Sequence, residues 1–475
     1  MCSHKHLPCV HGVAVSARPT RNDDIDAVNG LQKRRHSRGS RQMAGSGGFD
    51  LGQRIRMRED DLIALTQDLI RIPTINPPGD AYPECCEYLE RRLSARGFEC
   101  RIIRAEGSPG DSDRFPRTNI VARWESGRPG PTVHFNSHID VVEVGPGWTL
   151  DPFGGDLRDG KVYGRGACDM KGGLAASIIA VEALIDSGLP LVGALEISGT
   201  VDEETGGYGG VAYLAENGYF SPPRVDHVII PEPLNVDRIC LGHRGVWWAE
   251  IETKGRIAHG SMPFLGDSAI RHMGAFLRAL EDELYPKLAA KRTAMPVAPE
   301  GARASTLNIN SVHGGLDEGF DGFPSAVVAH SCRIVLDRRY LIEETVDEVR
   351  GEVVSLLDRL TRERPGFAYA LKELWTVSPT MTERDAPVVR AVGAEIERVL
   401  GKRPEPVVSP GTYDQKHVAR LGHLRDCIAY GPGILDLAHQ PDEYVEVEAM
   451  VQSAHVMAAA AYRLLTGDIP IGEPF

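Results

Sequence analysis

From Asp60 onward apolar residues recur at helical spacing: D-D-L-I-A-L-T-Q-D-L-I-R-I-P places Leu62, Leu65, Leu69 and Ile72 on one stripe. A second amphipathic helix is predicted from about Pro83 to Arg96. Strand-like runs follow at Glu99 to Arg104, Asn119 to Trp124 and Thr132 to Asn136, the last feeding His138. Asp159-Gly160 reads as a two-residue hairpin turn whose second strand runs through Val162 and Tyr163. Gly172-Gly173 opens a helix with Leu174, Ile178, Val181 and Ile185 on one face, and Gly188 lies where a C-capping glycine is expected. Ala194 to Gly199 is a short strand delivering Asp202-Glu203-Glu204, and His227 to Ile230 another delivering Glu232. Helices alternating with buried strands predict an α/β sheet with its site at the strand ends.

A different pattern then interrupts. Strands at Val246 to Thr253, Ser305 to Ser311, Ala326 to Leu336 and Ala368 to Thr376 alternate with helices at Ala269 to Tyr285 and Val346 to Thr361. That order, βαββαβ, is ferredoxin-like. From Pro387 the chain is helical again, and a late histidine in L-A-H-Q-P-D-E-Y has to return to the first site, so the small module is an insertion. The expected division is 1–50 as a disordered N-terminal extension, 55–243 and 379–475 as two parts of one α/β domain, and 244–378 as the inserted domain.

The length of 475 residues fits two domains, and 42% apolar with 25% charged residues is ordinary for a globular protein. A formal charge of -13 argues against nucleic acid or an anionic membrane as partner, and no apolar run approaches the length of a spanning helix. Nine cysteines without C-x-x-C spacing fit a reducing, cytoplasmic compartment. The N-terminal segment clusters Lys33, Arg34, Arg35, Arg38 and Arg41 without hydrophobic periodicity, and Met43 would serve equally well as a start. Its Cys2, His4, His6, Cys9 and His11 read as incidental composition.

The chemistry lies in V-H-F-N-S-H-I-D, G-R-G-A-C-D-M-K-G-G, G-T-V-D-E-E-T-G-G and I-I-P-E-P, each beside a strand-like run, and in the late His439. Two imidazoles and three carboxylates from loops at strand ends form a mixed N/O donor set that suits zinc, and two ions can be held if one carboxylate bridges. His138 and Asp140, two apart at a strand end, leave the same face. Glu203 and Glu204 are adjacent and cannot face one metal alike, which permits a division of labour. His134, inside an apolar strand, reads as a packed core residue.

With five motifs in order, the chain from about Asp60 onward resembles the acetylornithine deacetylase and succinyl-diaminopimelate desuccinylase family of zinc peptidases and acylases. The resemblance implies a zinc-peptidase-like catalytic α/β domain with an inserted ferredoxin-like α+β lid and dimerisation domain. It implies His138, Asp169 and Glu232 around one zinc ion and Asp169, Glu204 and His439 around the other, with cobalt or manganese as alternatives and a cis bond between Asp169 and Met170. Asp140 would orient the His138 ring, and Glu203 would be the general base. His259 matches a family histidine that reaches a neighbouring subunit's site to hydrogen-bond the oxyanion, so a homodimer is expected. Arg339, with Arg338 as competitor, and Gly411-Thr412 would bind substrate. Glutamate at Glu232 favours the deacylase side of the family, whereas Asp321, in D-G-F-P where relatives carry an Asn-x-x-Pro stretch, would repel a substrate carboxylate or welcome an ammonium group. The expected activity is hydrolysis of the acyl-nitrogen bond of N-acylated amino acids by zinc-activated water. The alternatives are a metallo-exopeptidase cleaving short peptides and, in another class, an inactive binding homologue.

Overall fold

The computed structural model describes residues 50–315 and 326–467, so the expectations for the N-terminal extension and for Asp321 lie outside the described residues. The main sheet runs, edge to edge, through Glu99–Arg104, Thr118–Glu125, Ala194–Thr200, Thr132–His138, His227–Ile230, Cys427–Ala429, Arg238–His243 and Thr380–Met381, with Glu405–Ser409 also pairing Arg238–His243. Thr132–His138 lies parallel to both Ala194–Thr200 and His227–Ile230. Thr132–His138 and Ala194–Thr200 are buried at every position, as expected for parallel strands covered on both faces. Their C-terminal ends, together with that of His227–Ile230, open on the same edge and carry the acidic loops.

Helix Gly172–Ile185 departs from the single apolar face read in the sequence. Residues Gly172 through Leu184 are all buried, because helices Leu51–Arg56, Glu59–Arg71 and Val447–Thr466 pack on it as well as the sheet. Gly173 is required by that packing: a Cβ there would come within 2.0 Å of the Pro231 carbonyl, in the turn that presents Glu232. The Asp159-Gly160 hairpin forms as expected, with φ of 49° and 72° at the two turn residues.

The second sheet is fully antiparallel in the order Thr306–Gly314, Ser331–Tyr340, Gly245–Lys254, Ala368–Val377, which is ferredoxin-like topology. Two details differ from the sequence reading. The third strand begins at Ser331 rather than Ala326 because Ala326 and Val328 hydrogen-bond the loop at Ala258 to Gly260 instead of the sheet. The helix expected from Ala269 to Tyr285 is regular only through Ala279; a wide turn at Leu280–Leu284 precedes Tyr285–Ala290, where Pro286 has no N–H with which to continue the ladder.

Three histidines are held neutral in the folded chain. Burial pushes His243 and His417 down to about 3 and His455 down to about 4. The unfolded chain takes up their protons near pH 6.5, so it binds more protons than the folded one below that value, and stability falls as pH drops from about 6.5 toward 4. Each contributes about 1.4 kcal/mol per pH unit. Chemical denaturation of the metal-loaded protein at pH 7, 6 and 5 is expected to show this loss, and His455→Gln to flatten it by one histidine's share; a flat wild-type profile would contradict the assignment.

Candidate metal centre

His138 ends its strand with both ring nitrogens engaged. Nδ1 meets the main-chain carbonyl of Asp140 at 3.0 Å and its carboxylate at 3.5 Å, and Nε2 lies 3.0 Å from Asp169 Oδ1 and 4.0 Å from Glu232 Oε1. Asp140 therefore contacts the ring through both groups, the shorter contact coming from its backbone. Its carboxylate also accepts from the main-chain N–H groups of Glu203 at 3.2 Å and Glu204 at 3.1 Å, and from Asn76 Nδ2 at 2.9 Å. One buried acid thus ties the His138 strand end to the Glu203-Glu204 turn.

Asp169 faces two ways. Oδ1 is on the His138 side, whereas Oδ2 lies 3.6 Å from His439 Nε2, which is 3.1 Å from Glu204 Oε1. Ligand atoms of His138, Asp169 and Glu232 lie within 4.8 Å of one another, and those of Asp169, Glu204 and His439 do likewise. The Asp169–Met170 peptide is cis, as the resemblance implies.

The electrostatics of this cluster follow from burial. It pushes Glu204 up to about 8 against the opposing pull of His439, and Glu232 well up, with Asp169 adding to that rise. His138 also rises, because the Asp140 and Asp169 carboxylates outweigh its own burial; the Glu204 hydrogen bond raises His439 to about 9. Three largely buried carboxylates, with His138 buried and His439 at the solvent side, are a poor arrangement for protons alone. A pair of divalent cations sharing Asp169 would satisfy all five donors, so the residues fit the group.

Two elements outside the sequence reading hold this cluster together. Arg165 and Glu443, both buried, pair at 2.6 Å. Glu443 Oε1 accepts from the N–H groups of Cys168 and Asp169 at 2.9 and 3.1 Å, and Arg165 donates to the carbonyls of His439, Gln440, Glu143 and Val144. The pair thereby fastens the Asp169 loop to the His439 loop. Arg165→Met would leave Glu443 as a buried unpaired charge, at a cost of about 3–5 kcal/mol. Metal affinity is expected to fall about 10–100-fold with it; denaturation and metal titration of the variant check both, and unchanged affinity would contradict the role. The other element is Lys171, whose buried ammonium donates to the Leu69 and Ile72 carbonyls at 2.8 and 2.7 Å.

A cavity of about 160 Å³ opens on the cluster, lined by Asp169, Glu203, Glu204, Glu232 and His439 and, opposite them, by Ser409, Gly411 and Thr412. A Cβ on Gly411 would meet nothing closer than Ser409 Oγ at 3.7 Å, so the glycine keeps space open to the cavity rather than relieving a clash. Glu203 Oε1 lies 3.4 Å from Lys416 Nζ.

Not every expected residue arrives there. Arg339 does not line the cavity: its guanidinium is engaged by Asp337 at 2.6 and 3.0 Å. Its competitor Arg338 is buried against Glu344 and Glu352. Arg244 was missed. It is buried behind the Ser409 to Thr412 loop and bonds only carbonyls, those of Pro410, Ala302 and Ala304, each at 3.2 Å. Burial, with Arg339 nearby, brings it down to about 10. Its only signal in the sequence was a charged residue inside the strand-like run G-H-R-G-V-W-W. His259 stands exposed on the inserted module, away from the cluster's cavity. The Ser261 N–H donates to its Nδ1 at 3.2 Å with Ser261 Oγ at 2.8 Å, which leaves the proton on Nε2.

Residues 134–463 match the model of peptidase family M20/M25/M40, a span reaching from within strand Thr132–His138 into the last described helix, Val447–Thr466. The chain belongs to that family. As a member of peptidase family M20/M25/M40 it is a metal-dependent hydrolase of amide bonds. The chain is 30% identical over 413 residues to succinyl-diaminopimelate desuccinylase of Cupriavidus necator, an alignment covering 85% of this chain and 99% of that one. Human carnosine dipeptidase 1 superposes with a TM-score of 0.68 at 20% identity, covering 87% of this chain and 98% of the other. A dinuclear metal binding peptidase of the family from Bacillus subtilis superposes with a TM-score of 0.62 at 17% identity, covering 86% and 99%. These two likenesses show the shared fold. Among the described residues no helix is long and apolar enough to cross a membrane.

Proposed function

We propose that this family member hydrolyses the acyl-nitrogen bond of N-acylated amino acids. The observation that carries the reading is Asp169 presenting one oxygen to the His138-Glu232 side and the other to the Glu204-His439 side, beside the cavity that Glu203 also lines. His138, Asp169 and Glu232 would hold one ion and Asp169, Glu204 and His439 the other, zinc being the ion the donor set favours, with cobalt or manganese as alternatives. When bound, such ions supply Lewis acidity toward a carbonyl oxygen and lower the pKa of water.

Glu203 supplies the proton transfers. It takes a proton from the attacking water as the water oxygen bonds the amide carbon; the C–N bond then breaks and Glu203 delivers that proton to the departing amine. Asp140 fixes Glu203 through its main-chain N–H, and Lys416 stands against its carboxylate. Gly411 and Thr412 line the substrate's wall. Support for His259 as an oxyanion donor in a second copy of the chain comes from its proton on Nε2. Support for a homodimer comes from exposed Ile257, Met262, Phe264, Leu265 and Val327 around it, an apolar surface of the kind a subunit covers.

The test is a panel of N-acetyl and N-succinyl amino acids assayed beside dipeptides. The reading expects turnover of acyl-amino acids at least tenfold above that of dipeptides; the reverse order would make the chain an exopeptidase, the second reading, which the dipeptidase among its structural neighbours favours.

A further inference from the structure

Glu203 is aimed by its turn rather than by its own side chain. Among the described residues its carboxylate has one polar contact, Lys416 Nζ at 3.4 Å, longer than a good hydrogen bond. The turn Glu203–Thr205 is held from two sides. On the metal side Asp140 takes the N–H groups of Glu203 and Glu204, and Asn76 Nδ2 donates to Thr205 Oγ1 at 3.0 Å. On the far side stands Asp202, whose φ of 63° lies in the left-handed region that an L-residue enters at a steric cost. Its carbonyl accepts from the N–H groups of Thr205 at 3.1 Å and Gly207 at 2.6 Å, so its backbone conformation sets the course of the turn. Its carboxylate is gripped at both oxygens: Tyr82 Oη donates to Oδ1 at 3.1 Å and Arg117 Nε to Oδ2 at 3.0 Å. Arg117 is itself fixed, donating through Nη1 to the carbonyls of Pro78 at 2.7 Å and Phe115 at 3.1 Å. Asp202, Tyr82 and Arg117 are all buried. A Cβ on Gly209 would come within 2.5 Å of Asp202 Oδ2 and 2.6 Å of Arg117 Cγ, so the pair is packed without room to shift.

We propose that Arg117 and Tyr82 are positioning residues for Glu203, acting through Asp202. The inference rests on the reading of Glu203 as the general base. Neither residue lines the cavity or belongs to either donor cluster. Arg117 stands one position before strand Thr118–Glu125, and Tyr82 opens helix Tyr82–Ser94, so the turn takes its place from two regular elements. A general base has to stay within hydrogen-bond reach of its water, and a misplacement of about 1 Å costs about 10²-fold. Asp140 ties the turn to the His138 ligand as well, whereas Arg117 and Tyr82 reach it only through Asp202. Changing these two therefore moves the base without removing a contact to the metal donors.

The test is Arg117→Lys and Tyr82→Phe, each made in the wild type and on top of Glu203→Gln. In the wild type, kcat is expected to fall about 10–100-fold for Arg117→Lys and several-fold for Tyr82→Phe, with KM within about twofold and metal content unchanged. On the Glu203→Gln background the same substitutions are expected to change kcat by less than about twofold, because the group they position no longer transfers protons. Unchanged kcat, losses that multiply with that of Glu203→Gln, losses carried by KM, or loss of metal in both variants would overturn the proposal. Tyr82→Phe, which removes one hydroxyl from a packed ring, decides alone where Arg117→Lys does not fold. If Glu203→Gln itself keeps near-wild-type turnover, the general-base reading fails separately, and crystal structures of the wild type and Tyr82→Phe then decide the positioning. A Glu203 carboxylate displaced by about 1 Å or more supports it, and an unmoved one removes it.

Discussion

Glu203→Gln is expected to lower kcat by about 10²–10⁴-fold, the range that a positioned general base contributes, while the protein keeps its full metal content. The expectation follows from where Glu203 stands. It lines the cavity with the metal-site acids, yet is absent from both clusters of ligand atoms that lie within 4.8 Å. The neighbouring Glu204 is the one that meets His439. Glutamine preserves the shape and the main-chain bond to Asp140, so the loss would fall on proton transfer and appear in kcat rather than KM. Single-turnover kinetics together with metal analysis of the variant separate this from damage to the centre; near-wild-type turnover would remove Glu203 from the mechanism.

Asp169→Asn should act differently, on the centre itself. Asp169 is common to both donor clusters and addresses each with a different oxygen. An amide offers one good ligand oxygen and no negative charge, so it cannot serve both sides. Metal content is expected to fall to one ion per chain or fewer. Loss of several kcal/mol of charge stabilisation corresponds to about 10³-fold or more in kcat/KM. Retention of two ions with a modest kinetic change would show that Asp169 does not bridge.

The chemistry of this chain was legible because its donors sit at strand ends, where a short buried strand followed by a histidine or acid fixes both burial and direction. His138 is the last residue of a strand buried at every position, and Glu232 lies just beyond a strand whose last three residues are buried. The supports were not legible. Arg165 and Glu443 are separated by 278 positions, and nothing local distinguishes a buried arginine from a solvated one until the fold has closed around it. Arg339 misled for the same reason: Asp337, two residues away on the same strand face, takes the guanidinium that the resemblance assigned to substrate. Arg244, bonded only to carbonyls behind the Thr412 loop, is visible only once that loop is in place. Periodicity likewise misread helix Gly172–Ile185, whose small residues allow packing from every side.

The most direct test of the account is the metal content of the purified protein, measured by elemental analysis alongside hydrolysis of the N-acyl amino acid panel before and after chelation. Two divalent ions per chain, with hydrolysis lost on chelation and restored on adding the metal back, is the predicted result. Hydrolysis that persists in chelated protein with no bound divalent ion would contradict the two-cluster centre built on Asp169.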